Sequence, residues 1–92
     1  MRIAYNIFKS QKLIRIMLEY DEIENTIIRI TISGDFFLYP EEALEILEAS
    51  LVGKKLDRES LKQDIESSLK DIEVYGFNST SLTEAILGCK RK

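Results

Sequence analysis

Histidine and tryptophan are absent from the 92 residues, and cysteine occurs once, as Cys89. Without histidine and with a single thiol, the usual side-chain sets for zinc, iron–sulfur and triad chemistry are missing. A lone cysteine closes no internal disulfide, which excludes a secreted disulfide scaffold. Proline occurs once and glycine four times, and no linker, repeat or low-complexity tract interrupts the chain. No apolar run approaches the roughly 18 residues that a membrane span needs. Strand-like residues begin at Ile3 instead of a leader, so a cytoplasmic chain is expected. A basic excess is lacking too: 13 basic against 16 acidic residues give a net charge of −3, which argues against nucleic acid as a partner. The length fits one domain, residues 1–92, with a stability of about 5–14 kcal/mol.

The charge is unevenly spread. Residues 1–20 hold Arg2, Lys9, Lys12 and Arg15 against Glu19, whereas residues 21–50 hold eight acids against Arg29. Such asymmetry suits either a solvated face or a surface turned to a partner.

The first third alternates with period two. Ile3, Tyr5 and Ile7 fall on one side of a strand, with Arg2, Ala4 and Asn6 on the other. Ile14, Ile16, Leu18 and Tyr20 share a face of a second strand, and Ile28, Ile30 and Ile32 repeat the pattern with Arg29 and Thr31 outward. β-Branched residues at that spacing mark half-buried strands. The links, Lys9-Ser10-Gln11 and Asp21 to about Asn25, are too short for parallel crossovers, so a three-stranded antiparallel meander follows. The period then lengthens to that of helices. After Pro40, suited to a first turn, Ala43, Leu44, Leu47 and Leu51 form a stripe that Gly53 can end. Asp57 can cap a second helix with stripe Leu61, Ile65, Leu69 and Ile72, and Gly76 breaks the chain. Asn78 or Ser81 opens a third, carrying Leu82, Ala85, Ile86 and Cys89. The expected class is α+β: the meander, followed by about three helices packed on one face of the sheet.

Ser33-Gly34-Asp35-Phe36-Phe37-Leu38-Tyr39-Pro40 does not read as an ordinary connection, because Phe36 to Tyr39 are apolar or aromatic in succession. Alternate residues of an extended segment face opposite ways, so some rings fill the seam between sheet and helix while the surplus faces a partner. Gly34 would let the chain turn, and Asp35 could cap that turn or pair with a partner's base.

Lys12-Leu13-Ile14-Arg15, then Ile32-Ser33-Gly34-Asp35-Phe36-Phe37 and Pro40-Glu41-Glu42-Ala43-Leu44, resemble the accessory domain of lipoate–protein ligases over nearly the whole chain. In that family the domain is either the C-terminal part of a single-chain ligase or a separate small subunit. A 92-residue chain with its own Met1 resembles the latter. The resemblance implies a heterodimeric ligase whose large catalytic subunit holds lipoate and ATP with Mg, forms lipoyl-AMP and transfers the lipoyl group to an acceptor domain. The small subunit would bind no cofactor alone and would be needed for activation, by closing over the large subunit's site. The residues implied in partner binding or closure are Lys12, Gly34, Asp35, Phe36, Phe37 and Tyr39; none is catalytic. Where the family typically has Pro-Gly-Gly before the lysine, this chain has Lys9-Ser10-Gln11.

Other features allow other readings. Cys89 could serve a small sulfur-carrier or scaffold-type protein, although its place on an apolar stripe suits an inert core thiol. Glu41, Glu45 and Glu48 share a helical face without calcium-loop spacing, and read as solvated or as meeting a basic partner. Asn78-Ser79-Thr80 matches a glycosylation acceptor but reads as capping sequence, and Lys90-Arg91-Lys92 reads as a frayed tail.

Overall fold

The computed structural model describes residues 1–9 and 11–91. Ser10, in the expected first turn, and Lys92, in the expected tail, lie outside the described residues. Strands β1 (Arg2–Lys9), β2 (Leu13–Asp21) and β3 (Thr26–Gly34) form an antiparallel sheet in the order β1-β2-β3. Helices α1 (Ala43–Leu51), α2 (Arg58–Ser68) and α3 (Ser79–Gly88) follow, with a 3₁₀ turn at Cys89–Arg91. The α+β class and the meander are as expected. The sequence reading lacked a second, two-stranded ribbon, in which β4 (Phe37–Tyr39) pairs antiparallel with β5 (Glu73–Tyr75).

The helices cover one face of the meander: α3 lies against β1 and β2, α1 against β3, and α2 against both other helices. Ile14, Ile16, Leu18 and Tyr20 of β2 are buried beneath them with Ile30 and Ile32 of β3. For β1 the expected face is reversed. Ala4, Asn6 and Phe8 pair with Leu18, Ile16 and Ile14, and directly opposed residues share a face. The inward side of β1 therefore carries Asn6, and the apolar row Ile3, Tyr5 and Ile7 faces away from the helices. The buried Asn6 is satisfied, its Nδ2 donating to the Ala85 carbonyl of α3 at 2.9 Å. Gly88 makes that approach possible, since a β-carbon there would come within 2.2 Å of the same nitrogen.

Ile28 also departs from the expected row. The register passes from Glu19↔Arg29 to Tyr20↔Ile27, leaving Ile28 in a β-bulge and moving Ile27 into the core. The β2–β3 turn is held by Asp21, whose Oδ1 accepts from the Ile23 and Glu24 amides at 2.9 and 3.1 Å. Those two donors lower its carboxyl pKa from the ordinary 3.8. Asn25 occupies the left-handed region at φ 57°, as its turn propensity suggested.

The stripe Ala43, Leu47 and Leu51 of α1 is buried, with Leu44 half-buried. Pro40 precedes the helix instead of joining its first turn, and its carbonyl accepts from the Ala43 amide at 3.0 Å. The Tyr39–Pro40 peptide is cis. Asp57 caps α2 through the Ser60 amide at 3.2 Å, but the helix ends at Ser68, so Ile72 falls beyond it and packs on the core from the following segment. Asn78 caps α3 in a box with Ser81, which accounts for the acceptor-like tripeptide. The tail is more ordered than a frayed end: Lys90 Nζ donates to Asn25 Oδ1 at 2.6 Å, and Arg91 pairs with Glu84 at 3.7 Å.

Candidate functional site

The end of the meander where β1 turns into β2 gathers the residues singled out from the sequence. Gly34, the last residue of β3, sits opposite Ile14 with φ +149°. A β-carbon on it would stand 2.1 Å from the Leu13 carbonyl oxygen, so only glycine lets the chain pass here. The next residue, Asp35, donates its amide to that carbonyl at 3.0 Å, and its exposed side chain is not engaged in the turn. Lys9, Gln11, Lys12, Leu13 and Asp35 line an open concavity of about 420 Å³. Among the described residues, Lys9 and Lys12 are held by no ion pair.

Lys12 connects this concavity to the aromatic segment. At Gly76, with φ +108°, a β-carbon would meet Phe36 Cβ at 2.9 Å and Lys12 Cγ at 3.2 Å. The backbone after β5 therefore runs directly against the lysine stem and the base of the Phe36 side chain. The Phe36 ring is half-buried and meets Phe77 edge to face, with centroids 5.0 Å apart and planes at 89°. The alternation inferred for this segment is present: Phe36 and Leu38 turn inward, Phe37 and Tyr39 outward. Pairing of β4 with β5 sets Phe37 opposite Tyr75, with ring centroids 6.3 Å apart. Phe37, Tyr39 and Tyr75 are 50, 60 and 58% exposed and form an aromatic ledge. Tyr75 donates its hydroxyl to Glu73 at 3.1 Å, and that carboxylate raises the phenol's pKa above 10.0. The ledge therefore presents a protonated phenol at neutral pH. Beside it, Phe36, Phe37, Leu38, Glu41 and Leu44 line a smaller hollow of about 190 Å³.

Lys12, Gly34, Asp35, Phe36, Phe37 and Tyr39 are thus neighbours, with Phe36 a support and Phe37 and Tyr39 the presented rings. Tyr75 and Gly76 complete the surface and were missed in the sequence. The only signal for them was the short alternation Glu73-Val74-Tyr75 before a glycine. The surface combines cations that can face an anionic group with rings that can cover it. Among the described residues, no group of three or more His, Cys, Asp or Glu is placed to hold a metal ion.

The other candidates sit elsewhere. Cys89 is 1% exposed, and its thiol donates to the Ala85 carbonyl at 3.9 Å. A buried thiol of that kind offers no accessible nucleophile for sulfur transfer. Glu48 leaves the expected solvated face of α1: its Oε2 accepts from the Ile32 amide at 2.7 Å and closes the edge of β3.

Comparison with known proteins gives the family. Residues 13–88 match the family described as bacterial lipoate protein ligase C-terminus. The chain belongs to this ligase family. No curated protein matches it. Among solved structures, it is similar to a chain from the structural analysis of an archaeal lipoylation system, a bi-partite lipoate protein ligase and its E2 lipoyl domain from Thermoplasma acidophilum. The TM-score is 0.80 at 29% identity, over 92% of this chain and 94% of that one. Near-complete coverage both ways means that the neighbour is itself a chain of about this length. The match takes in Lys12's neighbour Leu13, Gly34 and the whole aromatic segment. No helix of the described residues is long and apolar enough to cross a membrane.

Proposed function

We propose that this chain is the non-catalytic small subunit of a two-chain lipoate–protein ligase, acting in the cytoplasm. With a large catalytic subunit it supports ATP-dependent activation of lipoate to lipoyl-AMP, and so lipoylation of acceptor domains. The observation that carries the reading is the two-way coverage with the short chain of a bi-partite ligase, at a TM-score of 0.80. Membership of the ligase C-terminal family supports it independently.

The surface chemistry suits that role. Adenylate formation needs water excluded and phosphate charge balanced, and a closing domain supplies both without forming bonds. Lys12 would face the anionic side of the closed site. The Phe37–Tyr39–Tyr75 ledge would cover an apolar rim, and Gly34 and Asp35 would set the turn between them. ATP, Mg and lipoate would be held by the large chain.

The test is reconstitution. The large chain plus this one, with ATP, Mg and lipoate, should form lipoyl-AMP and lipoylate an acceptor domain, whereas neither chain alone should activate lipoate. Full activation by the large chain alone would refute the role. Lys12→Ala should reduce activation while leaving the thermal midpoint unchanged, because the side chain is exposed.

A further inference from the structure

The two long edges of the sheet are treated differently. Along β3 the backbone is closed off: the Ile27 amide donates to the Lys54 carbonyl at 2.9 Å, the Gly53 amide to the Ile27 carbonyl at 2.7 Å, and the Ile32 amide to Glu48. The bulge at Ile28 adds a local twist. None of these devices occurs along β1 among the described residues. Its eight residues contain no proline or bulge and pair only with β2. A long, regular, uncovered edge is a template for a further strand.

The side chains beside that edge fit the same use. Ile3, Tyr5 and Ile7 are 56, 67 and 66% exposed on the sheet face that no helix covers. Half-buried Met17 stands opposite Tyr5 and widens the apolar patch into the sheet. At the turn end the patch is bordered by Arg15, opposite Ile7, and by Lys9, opposite Leu13. Among the described residues neither cation forms an ion pair. An apolar row ending in cations, on a chain of net charge −3, complements a segment that is apolar with acids at one end.

We propose that β1 is the strand through which this chain is joined to the large ligase chain, which adds an extended apolar and acidic segment along the β1 edge. The inference rests on the function proposed above and names the contact that holds the complex, as distinct from the ledge that closes it. Position supports the choice of occupant. The family match begins at Leu13, the first residue of β2, so β1 precedes the matched region, and the family is a ligase C-terminus. In relatives where this domain ends a longer ligase, the polypeptide from the catalytic part therefore arrives on the β1 side. A strand-to-strand contact there replaces a covalent link at the same place.

The experiment is calorimetric titration of the purified large chain with the wild-type small chain and with an Ile3→Asp/Ile7→Asp double variant, alongside amide hydrogen exchange of the wild-type complex. Both substitutions lie on the outward face, so the thermal midpoint of the isolated chain should hold. The variant's Kd should rise about tenfold or more, the scale of a lost anchor, and amides within residues 2–9 should gain protection on binding. Unchanged Kd, or no added protection of β1 in a complex that forms and lipoylates, overturns the proposal. So does a variant that merely dissociates a homodimer, since the strand would then pair with a second copy. If the double variant does not fold, exchange on the wild-type complex decides. Failure of the wild-type chains to bind at all would instead refute the function on which this rests.

Discussion

Replacing Gly34 with alanine tests the argument that one backbone position sets the site. The added β-carbon would meet the Leu13 carbonyl oxygen at 2.1 Å and the Leu13 carbonyl carbon at 3.0 Å, both backbone atoms that cannot rotate aside. Holding an L-residue at φ +149° adds strain of about 1–3 kcal/mol. Relieving the clash opens the β2–β3 ladder beside Ile14 and breaks the Asp35–Leu13 hydrogen bond, worth about 0.5–1.5 kcal/mol. A total near 2–4 kcal/mol is a large share of the roughly 5–14 kcal/mol available to 92 residues. In a chain of this size the thermal midpoint should fall by about 10–25 °C. Urea titration should show a lower midpoint with an unchanged slope. Asp35→Ala is the control: its side chain is exposed, so the change should stay within about 0.5 kcal/mol. A Gly34→Ala midpoint as close to wild type as the control would refute the reasoning, because the chain would have passed Leu13 with a side chain present.

Phe36→Ala should cost stability by about 2–4 kcal/mol through its lost contact with Phe77 and the core. Phe37→Ala should leave the thermal midpoint nearly unchanged and lower lipoyl-AMP formation in the reconstituted ligase; the reverse pattern would exchange their roles. Stability should decline on acidification. Glu84 accepts Arg58 Nε at 2.6 Å, and that hydrogen bond, opposed by partial burial, lowers its pKa below 4.5. The depressed folded value means that the contribution is complete above the unfolded pKa and lost as pH falls through the folded one. Glu84→Gln should flatten the acid limb of a stability–pH curve, and an unchanged limb would show the pair to be ineffective.

The calculation for Gly34 also marks where local reading stops. Alternation in β2 specifies the buried row Ile14, Ile16, Leu18 and Tyr20, because β-branched residues at period two favour one arrangement. Helix stripes and the Asp57 and Asn78 caps are equally local: each rests on residues within a turn or two. In the aromatic segment the same logic separates Phe36 and Leu38 from Phe37 and Tyr39.

What sequence could not settle depends on distant partners. Period two makes Ile3, Tyr5 and Ile7 coplanar but leaves open which side faces the helices, and the apolar side was the natural expectation. Pairing with β2 and the close approach of Asn6 to Gly88 reverse it. Likewise Phe37 acquires Tyr75 as a neighbour, Lys12 comes to rest over Gly76, and Glu48 leaves the solvated face to close β3. Each of these joins segments separated by sixteen residues or more. The chain alone determined its elements and their amphipathic sides; only packing decided which side of β1 was left exposed, since parity is a local property and facing is not.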